Sequence, residues 1–370
     1  MKKLSSFVLA VVLAALLFGG GLIKLTQASA NNKESHTNRI GIEYMENLSS
    51  VDTEAPTIAG RIVRYDSRIN SIIPADANLE RLADGFRWVE GPVWNRNENY
   101  LLFSDVQANK IYKWEPGKGI STYLSPSGYT GDTPFNGLEP GSNGLTFDSQ
   151  GRLVMCQHGN HRVARLENTE NNTQISLADR YDNKRLNSPN DLVYKSNGDL
   201  YFTDPPYGLP TQRHDDPHKE LPFSGVYRLS PDGKLTLLTD EIRSPNGIAF
   251  SPDEKILYVS DSTTKQSRWL AYDVAPDGTL QNGRTFADGW RWERNRQGSP
   301  DGIKVDKAGN VYAVAPEAIF IFASDETLLG SIETSDRTSN LAWGEDGHSL
   351  FITANTAIYR IRLTATGEGY

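Results

Sequence analysis

One cysteine, Cys156, occurs in 370 residues, which excludes an internal disulfide framework and any multi-cysteine metal site. Beyond Ile23 no apolar run is long enough to cross a bilayer. No G-x-S-x-G nucleophile elbow, HExxH pair or phosphate-cradling glycine loop is present, and their absence points toward chemistry centred on a metal. Positive charge is also scarce. The formal net charge is −8, which disfavours nucleic acid and anionic membrane surfaces as partners and suits a small molecule or a cation.

The N-terminus is the one apolar region. Lys2 and Lys3 precede the stretch from Phe7 to Ile23, and Ala28-Ser29-Ala30 follows with the small-x-small pattern of a secretory cleavage site. Residues 1–30 are therefore expected to be a signal peptide, with an uncleaved anchor as the alternative, and the protein to be exported to a periplasm or secreted. Removing them deletes Lys2, Lys3 and Lys24 and no acid, taking the charge from −8 to −11. Residues 31–60 are polar and aperiodic, as expected for a linker or an N-terminal arm.

The remainder, 61–370, is built on repetition. "SPNDLV" (Ser188 to Val193) returns 56 residues later as "SPNGIA" (Ser244 to Ala249) and again as "SPDGIK" (Ser299 to Lys304). Aligned on this position, six segments show one pattern: a polar signal, an apolar strand, a Gly- or Asp-containing turn such as "SQGR", "SNGD" or "KAGN", and a second strand. Their key residues are Glu90, Asn143, Asn190, Asn246, Asp301 and Asn340, separated by 53, 47, 56, 55 and 39 residues. Further strands rich in aromatic and β-branched residues, such as "KIYKWE", "GVYRLS" and "AIFIFA", lie between the hairpins. Six units of four strands with few helices predict an all-β fold, a six-bladed β-propeller with four-stranded blades. "GRIVRYD" near residues 60–66 is the candidate for closing the ring against "AIYRIRL".

In such a ring, residues at the start of each innermost strand converge on the axis at one mouth. Two carboxylates and four amides there would repel or go unsatisfied without a cation, and hard oxygen donors favour Ca²⁺, with Mg²⁺, Mn²⁺ or Zn²⁺ as alternatives. Asn and Asp before Gly also suit ordinary turns, but Glu90 has no such preference. The second strand of each hairpin returns to the same mouth, which adds Asp105, His158, Asp204 and Asp261. Each Asp is equally well explained as a turn cap, whereas His158 is a candidate acid, base or oxyanion donor.

These residues resemble the senescence marker protein/gluconolactonase family, the calcium-dependent six-bladed propellers that include regucalcin and bacterial sugar lactonases. The resemblance runs over about residues 80–363 and rests on "EGPVW" (Glu90 to Trp94), "SPNDLV", "TDPPYG" (Thr203 to Gly208), "SPNGIAFSPDEKILYVSD" and "SPDGIKVD"; "QHGNHRV" is similar to the bacterial gluconolactonase branch. It implies a metal on Glu90, Asn246 and Asp301, with Asn190 as a further metal or substrate contact. The insertion "GWRWERNRQG" before "SPDG" is longer than the family pattern leads one to expect.

The expected activity is metal-dependent hydrolysis of a sugar lactone such as gluconolactone to its aldonic acid. In this scheme Asp301 takes a proton from water, His158 assists, Asn190 and Asn143 contact substrate, and Tyr207, with Trp290 or Trp292, packs on the lactone ring. A noncatalytic calcium-stabilised binding propeller and a paraoxonase-like esterase acting on apolar substrates are the alternatives.

Overall fold

The computed structural model describes residues 57, 58, 60–293, 298–334 and 336–370. The expected leader 1–30 and almost all of the arm lie outside the described residues. Within the unit Thr53–Tyr370, six antiparallel sheets are arranged as the blades of a propeller.

Blade 1 comprises Val89–Asn95, Tyr100–Asp105, Lys110–Glu115 and Gly119–Leu124, paired in that order from the axis outward. Blade 2 runs from Ser142–Phe147 to Thr173–Ala178, blade 3 from Leu192–Tyr194 to Leu235–Thr239, and blade 4 from Pro245–Phe250 to Leu280–Asp288. Blade 5 begins at Ile303–Val305 and blade 6 at Thr338–Gly344. Middle strands such as Val311–Ala315 ("VYAVA") and Ala318–Phe322 ("AIFIF") are buried along their whole length, because neighbouring blades cover both faces of each sheet. Outer strands such as Thr173–Ala178 leave all but one of their residues exposed or half-buried. Aromatic rings link adjacent blades: Trp94 stacks on Phe351 at 5.2 Å, Tyr201 meets Phe250 at 4.9 Å, and Tyr312 meets Trp343 at 4.9 Å.

Ring closure differs from the expectation. Gly60–Arg64 does not pair with Ala357–Arg362; it adds a fifth strand to blade 5 alongside Leu328–Thr334. The strand that completes blade 6 is Leu79–Ala83, antiparallel to Ala357–Arg362, with Thr57–Ile58 on its outer edge. The N-terminal segment thus closes two neighbouring blades. Arg360 holds Glu80 across the closure through Nη2 at 2.7 Å.

A second ring of bonds, near the axis, explains the repeated motif. Ser104 Oγ of blade 1 donates to the Asn143 carbonyl at 2.8 Å, Gly144 N of blade 2 to the Asn190 carbonyl at 2.7 Å, and Thr203 Oγ1 of blade 3 to the Asn246 carbonyl at 2.7 Å. Ser260 Oγ of blade 4 donates to the Asp301 carbonyl, Gly302 N of blade 5 to the Ser339 carbonyl, and Ser339 Oγ of blade 6 to the Val89 carbonyl. In five of these six links the carbonyl of the residue at the repeated position ties one blade to the next, which leaves its side chain free for other work. Blade 2 carries Cys156 at the position of Ser104 and Thr203, and there the glycine N–H makes the bond instead. The lone cysteine is fully buried in this role.

The glycine after the repeated residue answers to this close approach and not to a turn. A Cβ on Gly247 would stand 2.2 Å from the Asp301 carbonyl oxygen, and one on Gly144 2.6 Å from that of Asn190. Both residues lie inside strands, so turn preference does not account for "NG" here.

Candidate active site

The loops entering the six inner strands surround one mouth of the channel and enclose a cavity of about 380 Å³. Glu90, Asn143, Asn190, Asn246 and Asp301, from five blades, line it together with Tyr207. In four blades the hairpin pairing is irregular at this point, for example between Glu90 and Val93 and between Pro245 and Ile248. The bulge turns the side chain out of the sheet and toward the axis.

The sixth expected residue is displaced by one position. Thr338 pairs with Ala354 as Pro245 pairs with Asp261, and the irregularity follows between Thr338 and Asn340. Ser339 is therefore the structural counterpart of Asn246. Its short hydroxyl is spent on the Val89 carbonyl and on Thr353. Asn340 takes the slot that glycine holds in other blades, and its Nδ2 donates to Asp191 Oδ2 at 3.4 Å. Asp191, the "D" of "SPND", occupies the same slot in blade 3 and also accepts from Ile248 N at 3.4 Å. Neither residue lines the cavity; they fill the axis close to it.

The cavity concentrates negative charge that has little water around it. Glu90, Asn143, Asn190, Asn246 and Asp301 are each 7% exposed or less. Burial, with the charges of Asp191 and Glu139 adding to it, pushes the Glu90 carboxyl up to about 8. Burial and the neighbouring Glu90 raise Asp301 well above the ordinary carboxylate range, and Arg337 offsets part of that rise.

The amides complete the pattern. Ser262 Oγ donates its only proton to the Pro300 carbonyl at 2.5 Å, so it must accept from Asn246 Nδ2 at 3.2 Å. That fixes the Asn246 amide and leaves its buried Oδ1 with no partner; Asn143 Oδ1 is buried and unpartnered as well. Two orphaned amide oxygens beside two carboxyls in one cavity are a hard-oxygen donor set that fits a divalent cation. Among the described residues no group of three or more His, Cys, Asp or Glu forms a metal cage, so any ion here draws on amides as well as carboxylates.

His158 is fully buried and stands behind the cavity wall. Its Nδ1 is 2.8 Å from Glu139 Oε2 and its Nε2 3.5 Å from Asn190 Nδ2. With the proton on Nδ1 donated to Glu139, Nε2 accepts from the Asn190 amide, and Asn190 Oδ1 is turned away from the ring. Tyr207 lies with its phenol against Ser262 and Ser244, and burial raises its pKa.

The other second-strand candidates are loop clasps. Asp105 accepts from the N–H groups of Arg87 and Trp88 at 3.0 and 3.1 Å, Asp204 from those of Asn187 and Ser188 at 2.9 and 2.7 Å, and Asp261 from Thr263 N at 3.1 Å. Trp292 packs on Phe320 at 4.7 Å, and neither it nor Trp290 lines the cavity.

Among the lining residues that escaped the sequence reading, Trp88, Glu139 and Arg337 carry the chemistry. Each stands two to four residues before a repeated position, Trp88 before Glu90, Glu139 before Asn143 and Arg337 before Ser339. The run-in to every inner strand is a rim loop, and a reading extended two to four residues upstream would have found them.

A six-bladed propeller with carboxylates and amides gathered at one mouth of its channel defines a class of proteins that bind or transform small molecules at that mouth. The particular family follows from comparison: the SMP-30/Gluconolactonase/LRE-like region matches residues 88–356, and the chain belongs to this family. A gluconolactonase of Zymomonas mobilis is 39% identical over 83% of this chain and 87% of its own. The lactonase drp35 of Staphylococcus epidermidis is 27% identical over 68% of this chain and 73% of its own. The solved structure of a gluconolactonase from Xanthomonas campestris superposes with a TM-score of 0.72 at 32% identity, covering 85% of this chain and 99% of that one.

Proposed function

We propose that this protein hydrolyses a sugar lactone of the gluconolactone type to its open aldonic acid, and that it does so with a divalent cation, Ca²⁺ first among the candidates. The observation that carries this reading is the convergence of Glu90, Asn143, Asn190, Asn246 and Asp301 on one cavity, with carboxyls raised by burial and amide oxygens left unpartnered. The names of the relatives favour lactones as the substrate class.

Glu90, Asn246 and Asp301 would hold the cation, with Asn190 as a further contact. When bound, such an ion supplies a Lewis acid for the lactone carbonyl and compensates the carboxylates. Asn143, Asn190 and Tyr207 offer amide and phenol groups to the hydroxyls of the sugar. Asp301 takes a proton from the attacking water through the carboxylate oxygen it does not commit elsewhere. Glu139 lines the same cavity and is braced by His158, so the histidine acts through Glu139 and Asn190 and not by touching substrate. The lining is mostly carboxylate, amide and hydroxyl, which suits a polyhydroxylated ring better than an acyl chain. With residues 1–30 read as a leader, the reaction takes place outside the cytoplasm.

A panel of lactones tests the proposal. Purified protein with Ca²⁺ is expected to acidify a weakly buffered gluconolactone solution faster than spontaneous hydrolysis, to lose the acceleration on chelation and to act poorly on aryl esters. No acceleration on any lactone would leave a noncatalytic binding propeller as the better account.

A further inference from the structure

Among the described residues that line the cavity, Arg337 carries the one positive charge, opposed by Glu90, Glu139 and Asp301. Its guanidinium has no carboxylate within ion-pair distance among the described residues. It rests on Trp88, with Cζ 4.8 Å from the ring centroid, and lines the same cavity as the Asp301 carboxyl. The residues on either side are pinned through their side chains: the Asp336 carboxylate accepts from the Tyr359 hydroxyl, and Thr338 Oγ1 donates to the Ala315 and Ala318 carbonyls. A cation held in place by an aromatic face and kept from the acids beside it retains its planar fork of donors for a ligand.

The charge change of the reaction indicates what that ligand is. Water adds to the ring carbonyl, the ring C–O bond breaks, the former ring oxygen leaves as a hydroxyl, and the new carboxylic acid releases a proton. A neutral substrate thus becomes an anion in a cavity already lined by three acidic side chains. We propose that Arg337 is the receptor for the carboxylate produced by ring opening, with Trp88 as its platform. This rests on the lactonase reading, and it makes Arg337 a residue that distinguishes the open acid from a neutral sugar of the same length.

The test compares gluconate with sorbitol, which replaces the carboxylate by a hydroxymethyl group. Binding of each is measured by calorimetry in Ca²⁺-containing buffer to wild type, Arg337→Gln and Arg337→Lys, with thermal midpoints and lactone turnover recorded for all three. Gluconate is expected to bind Arg337→Gln about tenfold or more weakly than wild type, and sorbitol equally to both. Arg337→Lys should recover part of the loss, because it keeps the charge without the fork. Equal gluconate binding by wild type and Arg337→Gln, parallel loss of both ligands, or no gluconate binding by wild type would each overturn the assignment. Absence of lactone turnover by wild type would instead remove the lactonase reading, while the gluconate-to-sorbitol comparison would still report whether Arg337 recognises a carboxylate.

Discussion

The two mouths of the channel are both hollow, and the larger hollow is the less reactive one. At the face opposite the candidate site lies a depression of about 950 Å³, lined by Phe147, Tyr194, Phe250, Trp343 and several charged residues. Those charges largely satisfy one another. Lys195 pairs with Glu254 at 2.7 Å and Arg152 with Asp148 at 2.8 Å, Arg165 reaches Glu167 at 2.6 Å, and Arg96 lies over the Tyr370 ring at 3.7 Å. The candidate site is less than half that volume, yet it buries the Asn143 and Asn246 amide oxygens with no partner among the described residues, beside two carboxyls raised by burial. Buried polarity without a partner is costly to maintain, and at the candidate site two such amide oxygens stand beside two buried acids. That contrast locates function better than size does.

The sharpest way to break the contrast is to remove one of the buried acids. Asp301→Ala should lower lactone turnover by about a thousandfold or more, since it deletes both a cation contact and the proposed base. In chelator its thermal midpoint should equal or exceed that of wild type, because the repulsion between Glu90 and Asp301 disappears. Wild-type turnover in this variant would refute the role.

A smaller effect is expected one step from the cavity. His158→Asn should lower kcat about ten- to a hundredfold, the range for residues that orient a site without touching the substrate. Gluconate binding should change less than kcat does. Equal losses in both would indicate a general disruption of the wall.

Acid sensitivity sharpens the same comparison through stability. Burial holds His161 down at about 4, where an ordinary histidine lies near 6.5. The folded protein keeps the ring neutral while the unfolded chain takes up a proton below about 6.5, so stability is intact above that pH and falls between about 6.5 and 4. The full loss is on the order of 3 kcal/mol. His161→Asn, which tolerates the left-handed φ of 54° at this position, should flatten the decline in thermal midpoint over that interval. An unchanged slope would show that other groups set it.

The opposite mouth should barely respond. Lys195→Met should cost about 1 kcal/mol or less, as partly exposed ion pairs do, and leave lactone turnover within about twofold of wild type. A large loss of activity would mean that the two mouths are coupled.

Much of this was legible in the sequence for a physical reason: the repeated residue has two duties. Its carbonyl ties one blade to the next in five of the six blades, so the spacing is constrained by the fold. Its side chain meets the cavity, so its oxygen chemistry is constrained by function. Where the second duty lapses, at Ser339, the alignment slipped to Asn340, which offers the expected amide one position too late. Ring closure was misread because Gly60–Arg64 has the stronger strand pattern, and because the choice between it and Leu79–Ala83 is made by contacts with strands some 270 residues away. Trp88, Glu139 and Arg337 lie in rim loops, where no periodicity marks a residue as facing inward. The alternative that "NG" marks ordinary turns does not hold, because glycine there answers to the neighbouring blade and not to its own backbone.

The central claim is that acids and amides from separate blades share a single cation. Calorimetric titration of Ca²⁺ into chelated wild type and Asp301→Asn at pH 7, repeated in buffers of different ionisation enthalpy, tests it most directly. The account predicts one ion per wild-type chain, bound with release of protons because the Glu90 carboxyl is held at about 8, and much weaker binding by the variant. Binding that is absent, or equal in the two proteins, or that leaves the protons in place would contradict it.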